Sequence, residues 1–201
     1  MAENRKVLGV GFRVKSGFAI AVVIEGPTAA PRAIARHILE MSDPGDRWTK
    51  QPYHNRMFKT ETDEGEIARR VKIVKRCAKE SVFALIGSAP LSGARLSAAL
   101  VVGSIIDPAT IGSPHMRAHA NEGRLFRTVL EEALKSHGID VDVIVEKTLA
   151  TRAGAALGRS AAAINKVVAG FGETLGTPWR AEEKGAATAA WLTLAPQSTK
   201  R

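Results

Sequence analysis

The stretch KVLGVGFRVKSG, Lys6 to Gly17, reads as a strand over Lys6 to Arg13 that runs into a tight turn at Lys15, Ser16 and Gly17. FAIAVVIE, Phe18 to Glu25, is apolar and β-branched and continues it as the second arm of a hairpin. After GPTAAP, residues Arg32 to Met41 alternate, with Ala33, Ala35, His37, Leu39 and Met41 on one face. The three strands form an antiparallel meander. The hairpin also disposes of one meaning for the glycines. GVGFRV has Gly9 and Gly11 in the spacing of a dinucleotide-binding fingerprint, but Val14 stands where the third glycine belongs and no helix follows.

Beyond the meander lies SDPGDRWTKQPYHNRMFKTETD, residues 42–63, a polar, turn-rich segment that reads as a long loop, functional or mobile. A long helix follows, capped by Asp63 with Glu66 three residues on. Its buried stripe is Ile67, Val71, Val74, Ala78, Val82 and Leu85; Arg69, Lys72, Lys75, Arg76 and Lys79 gather beside that stripe on one exposed side. LSAALVVGSII, Leu96 to Ile106, is apolar throughout, as expected of a central parallel strand. Ser113 and Pro114 open a helix that closes at Gly138, and VDVIVEK is a fifth strand. Two helices complete the pattern, Ser160 to about Gly176 and one from about Thr177 and Pro178 to Leu194.

Right-handed crossovers place the fourth and fifth strands parallel to the first. The expected fold is α/β: a mixed five-stranded sheet in the order 3-2-1-4-5, strand 2 antiparallel, with helices on both faces. A chain of 201 residues, 45% hydrophobic and 24% charged, suits one domain, here 1–195 with a flexible tail over 196–201. The net charge of +9 favours an anionic partner, nucleic acid ahead of a membrane surface. Cys77 is the single cysteine, which forbids an internal disulfide or a thiolate zinc cluster, and FAIAVVI is too short to span a bilayer. These features predict a basic cytoplasmic protein with no membrane partner.

Two further stretches carry a resemblance. ATRAGAALGRSAAAINKVV follows the last strand with Arg152, Gly158 and Arg159 at a turn before a helix, and RAEEKGAATAAWLTL forms an alanine-rich final helix. Together with the element order, they resemble the ribonuclease H-like superfamily, and within it a degenerate form of the RuvC Holliday-junction resolvases. The resemblance implies a dimer and a centre of converging carboxylates around magnesium or manganese, hard cations held by oxygen ligands that activate water. It places the first acid near Gly11, the second near Gly103, and the final pair near Glu182 and Gly185, so three of four positions are glycine. Between Lys6 and Lys15, and between Leu96 and Ile106, there is no Asp or Glu. Asp107, Glu182 and Glu183 are the remaining candidate catalytic acids, although acids such as Glu182 and Glu183 also stabilise the first turn of a helix.

Aromatic residues among cations suit stacking on unpaired bases beside phosphates. Arg47, Trp48, Lys50, Tyr53 and Arg56 have that composition, and with Arg69, Lys72, Lys75, Arg76, Lys79, Arg152 and Arg159 they are the candidate nucleic-acid contacts. His115 and His119 share a helix face at zinc-like spacing; Met116 stands where a general-base glutamate is expected and the sequence places no third ligand beside them, so they read as surface histidines. The leading expectation is a non-catalytic ribonuclease H-like domain that binds branched or single-stranded nucleic acid and needs no cofactor. The alternatives are a magnesium- or manganese-dependent nuclease on a reduced carboxylate set, and a scaffold or interaction protein.

Overall fold

Strands that are apolar on both faces require a helical layer on each side of their sheet, and the computed structural model, which describes residues 6–55, 57 and 59–196, has that arrangement. The strands are β1 (Val7–Lys15), β2 (Phe18–Glu25), β3 (Arg32–Glu40), β4 (Arg95–Val102) and β5 (Val141–Val145), in the sheet order 3-2-1-4-5. β1 pairs antiparallel with β2 through Gly11 and Val22 and parallel with β4 through Gly11 and Ala99. β4 and β5 are parallel, and β2 and β3 are antiparallel. The expected fold class is therefore the observed one.

The helices are α1 (Glu64–Gly87), α2 (Pro114–Lys135), α3 (Glu146–Leu157), α4 (Ala161–Leu175) and α5 (Ala181–Thr193). Leu8, Val10, Phe12 and Val14 of β1 enter one core with Val74 and Val82 of α1 and Phe126 and Leu130 of α2. Ala99, Val101 and Ile144 enter the other, with α3, α4 and the alanines of α5 around a fully buried Trp191. That indole donates its N–H to the Thr28 carbonyl at 3.0 Å, so a large ring is buried without losing its polar contact.

Several features differ from the sequence expectation. β4 stops at Val102 rather than continuing to Ile106, and Ile105 and Ile106 are exposed in a connection. α3 has no counterpart in the sequence reading: its cap is Val145, which makes no side-chain capping bond, so no start signal precedes an alanine-rich run. α5 begins at Ala181, later than Pro178, where the Arg180 N–H donates to Glu183 Oε2 at 2.8 Å. In β3, Ala33 pairs with Ile24 and Ala35 with Val23, leaving Ile34 as a bulge that turns Ala33 to the opposite core from Leu39 and Met41. On α1, Arg70 is buried along the stripe while Ile67 and Val71 are only half-buried.

Candidate functional site at the carboxyl edge of the sheet

Alternation along β1 puts Gly9, Gly11, Arg13 and Lys15 on the face opposite the Leu8 to Val14 core, toward α5. A Cβ on Gly11 would overlap the Ala186 carbonyl oxygen and the Ala190 amide, and one on Gly9 would overlap the Ala190 carbonyl and meet Thr193 Oγ1 at 2.7 Å. The two glycines are thus the floor on which the backbone of α5 lies, and the alanines of that helix keep the approach close. The position where the resemblance puts the first acid has no room for any side chain. Gly103, the second such position, is different: it is exposed and open, with nothing within 4 Å of a Cβ.

At the carboxyl ends of β1 and β4 a cleft of about 280 Å³ is lined by Arg13, Lys15, Ser16, Gly103, Ser104 and Phe126, among others. Open α/β sheets hold ligands at this edge. Its two charged lining residues, Arg13 and Lys15, are each paired with a carboxylate. Arg13, only 7% exposed, donates to Glu146 Oε2 at 2.6 Å from the start of α3, and Lys15 lies 3.4 Å from Glu182 Oε1 at the start of α5. The backbone N–H of Glu182, and then Lys15, hold the Glu182 carboxyl below its ordinary range. Glu183 is buried and spent on the α5 cap. Asp107 caps the turn Pro108–Thr110 by accepting from the Ala109 N–H, and it lies 3.9 Å from Arg124. Among the described residues the groups whose ligand atoms gather within 4.8 Å are three histidines, and none of these acids is among them. One carboxylate paired with a lysine and one consumed by a cap do not fit a magnesium or manganese centre.

The candidate nucleic-acid residues divide by what they touch. Lys72, Lys75 and Lys79 are exposed on the side of α1 next to its buried stripe and make no ion pair among the described residues. Arg76 lies near Asp43 and Glu80, at 3.7 and 3.8 Å. Arg69 is shared between Glu66 and Asp46, which fastens the loop after β3 to α1. Arg152 pairs with Asp142. Arg159 donates to the Ala29 carbonyl at 2.8 Å and stacks on Trp191 at 5.3 Å from the ring centre. In the loop, Arg47 lies 5.1 Å from the Trp48 ring centre, Lys50 is exposed, and Tyr53 packs partly into the core, where burial pushes its phenol pKa up. Arg56 lies outside the described residues.

The sequence placed no third ligand near His115 and His119, and the fold supplies one. His54, from the loop, is 1% exposed, and its ring centre lies 5.2 Å from that of His115 and 4.5 Å from that of His119. Glu122, also 1% exposed, comes within 2.7 Å of His54 Nδ1 through Oε1 and 3.3 Å of His119 Nδ1 through Oε2. Only a histidine in an aromatic loop, 68 positions from Glu122, hinted at this in the sequence.

No protein-family model matches this sequence, and no curated protein matches it. Among solved structures, the chain is similar to RuvC of Thermus thermophilus, at 11% identity over 92% of both chains with a TM-score of 0.51. It is likewise similar to T. thermophilus RuvC in complex with a Holliday junction substrate, at 11% identity over 92% of this chain and 91% of that one, with a TM-score of 0.52. At such identity the likeness speaks for architecture, and with the 3-2-1-4-5 sheet it establishes that this chain has a ribonuclease H-like fold resembling that of RuvC.

Proposed function

We propose that the chain is a cytoplasmic ribonuclease H-like domain that binds branched or single-stranded nucleic acid through backbone charge and does not cut it. The observation that carries this reading is the row Lys72, Lys75 and Lys79 on α1, exposed cations with no internal partner among the described residues, on a chain of net charge +9. Phosphates need such free cations, whereas Arg69, Arg152 and Arg159 are already engaged. The RuvC neighbour solved with a Holliday junction supports a branched ligand. The absence of cleavage is supported by α5 resting on Gly9 and Gly11 and by Lys15 beside Glu182. A homodimer, which the resemblance implies, presents two such rows to one branched molecule.

The test is a titration of labelled four-way and single-stranded DNA across salt concentrations with manganese present, following binding and strand integrity together. Salt-sensitive binding to intact DNA is expected. Changing Lys72, Lys75 and Lys79 together to Ala should lower the salt slope by about 2–3, because each phosphate contact contributes about 0.7–0.9 to it. No binding at low salt, or an unchanged slope, removes the proposal. Cleavage that Glu182→Ala abolishes supports the nuclease alternative instead.

A further inference from the structure

We propose that His54, His115 and His119 form a binding site for one zinc ion, with Glu122 positioning two of the imidazoles from behind. Each histidine offers a ring nitrogen within 4.8 Å of the others. His115 Nε2 and His119 Nε2 are 3.3 Å apart. Three imidazoles on one tetrahedral zinc, with Zn–N bonds of about 2.0–2.1 Å, place their ligating nitrogens about 3.3–3.4 Å apart and their ring centres about 5 Å apart. The observed ring centres, 4.5, 4.7 and 5.2 Å apart, already have nearly that spacing.

Two buried atoms point to a ligand independently of the spacing. His54 Nε2 has no hydrogen-bond partner although the residue is 1% exposed, a costly state for a nitrogen unless something coordinates it. The Glu122 carboxylate is equally buried, and its neighbours are imidazoles: His54 Nδ1 on Oε1, and His119 Nδ1 at 3.3 Å from Oε2 without hydrogen-bond alignment. A carboxylate on Nδ1 with Nε2 left free is how zinc-ligating histidines are oriented. A dication at the three nitrogens also supplies the positive charge that a buried carboxylate lacks. Imidazole ligands suit zinc and its first-row neighbours rather than magnesium, so this site is separate in chemistry from the acids of the sheet edge.

The elements fix the geometry without the ion. α2 carries His115 and His119 one turn apart in its first two turns, with Glu122 one turn further. Arg70 of α1 donates to the His54 carbonyl at 2.7 Å and holds the loop where it meets α2. His115 and His119 are exposed, so the fourth coordination position faces solvent, and the ion joins the loop to α2.

The experiment uses the full chain without an affinity tag, stripped by a chelator, then titrated with Zn²⁺ against a chromogenic competitor and separately with Co²⁺. Expected are one ion per chain with a dissociation constant below about 1 µM, visible bands of four-coordinate cobalt, and a higher unfolding temperature with zinc. His115→Ala and His119→Ala together should remove all three effects, and Glu122→Gln should weaken binding about 10–100-fold. His54→Ala could fail to fold because His54 is buried, so the exposed pair is decisive. Absence of saturable one-ion binding to the unaltered chain, or unchanged affinity in the folded double variant, overturns the proposal.

Discussion

Gly11 and Gly103 both stand where the resemblance puts an acid, yet they are physically unlike. Gly11 faces the backbone of α5, so even a methyl group forces helix and strand apart; overpacking of this kind costs about 1–3 kcal/mol, and more when the neighbour is backbone. Gly103 faces open space, and Gly103→Asp should change stability by no more than about 0.5 kcal/mol. Chemical denaturation of Gly11→Ala and Gly103→Asp reads both; equal effects would contradict the packing. A second prediction concerns Glu66, whose carboxyl is drawn down to about 2 from its ordinary 4.5, first by the hydrogen bond from Arg69 and then by Arg70, against the opposing cost of burial. A carboxyl lowered on folding contributes stability above about pH 4.5, lost as pH falls toward 2. The unaltered chain should therefore exceed Glu66→Gln in stability at neutral pH, and the difference should disappear across that window.

Among the elements, those with sequence punctuation were legible and those without were not. α1 and α2 announce themselves through Asp63 and Ser113, which cap as expected, and the meander through its turn residues and apolar runs. α3 opens on an uncapped valine, and the bulge at Ile34 arises from pairing with β2, which no local pattern encodes. The proposed histidine site was half legible: the spacing of His115 and His119 could be read along α2, whereas His54 joins them only through tertiary structure. The loop that carries His54 is held by Arg70, which is buried and donates to the carbonyls of Pro52 and His54 while pairing with Glu61 and Glu66. Removing a buried charge from partners this enclosed costs about 3 kcal/mol. Arg70→Ala should lower the unfolding free energy by about that amount and make the loop more open to proteolysis, whereas exposed Lys72→Ala should do neither.

At the scale of the whole molecule, two cores share one sheet, and the proposed reading as a domain that does not cut nucleic acid rests on packing across that sheet as well as on the glycines at the acid positions. An active centre at the carboxyl edge needs space between β1 and the final helix for carboxylates and ions. Here α5 lies with its backbone on Gly9 and Gly11, Trp191 anchors it through Thr28, and the basic residues of the remaining edge are engaged in the pairs Arg13 with Glu146 and Lys15 with Glu182. Introducing acids one residue at a time should therefore not create cleavage. Gly103→Asp with Lys15→Ala, which the open site at Gly103 and the partial exposure of Lys15 allow, should fold normally and leave DNA intact in manganese. Adding Gly11→Asp should not complete a site; it should displace α5, seen as a lower unfolding temperature and faster amide exchange along β1 and α5. Cleavage by the folded triple variant would mean that α5 can lift from the sheet, and that the two glycines record the loss of acids rather than a repacked helix.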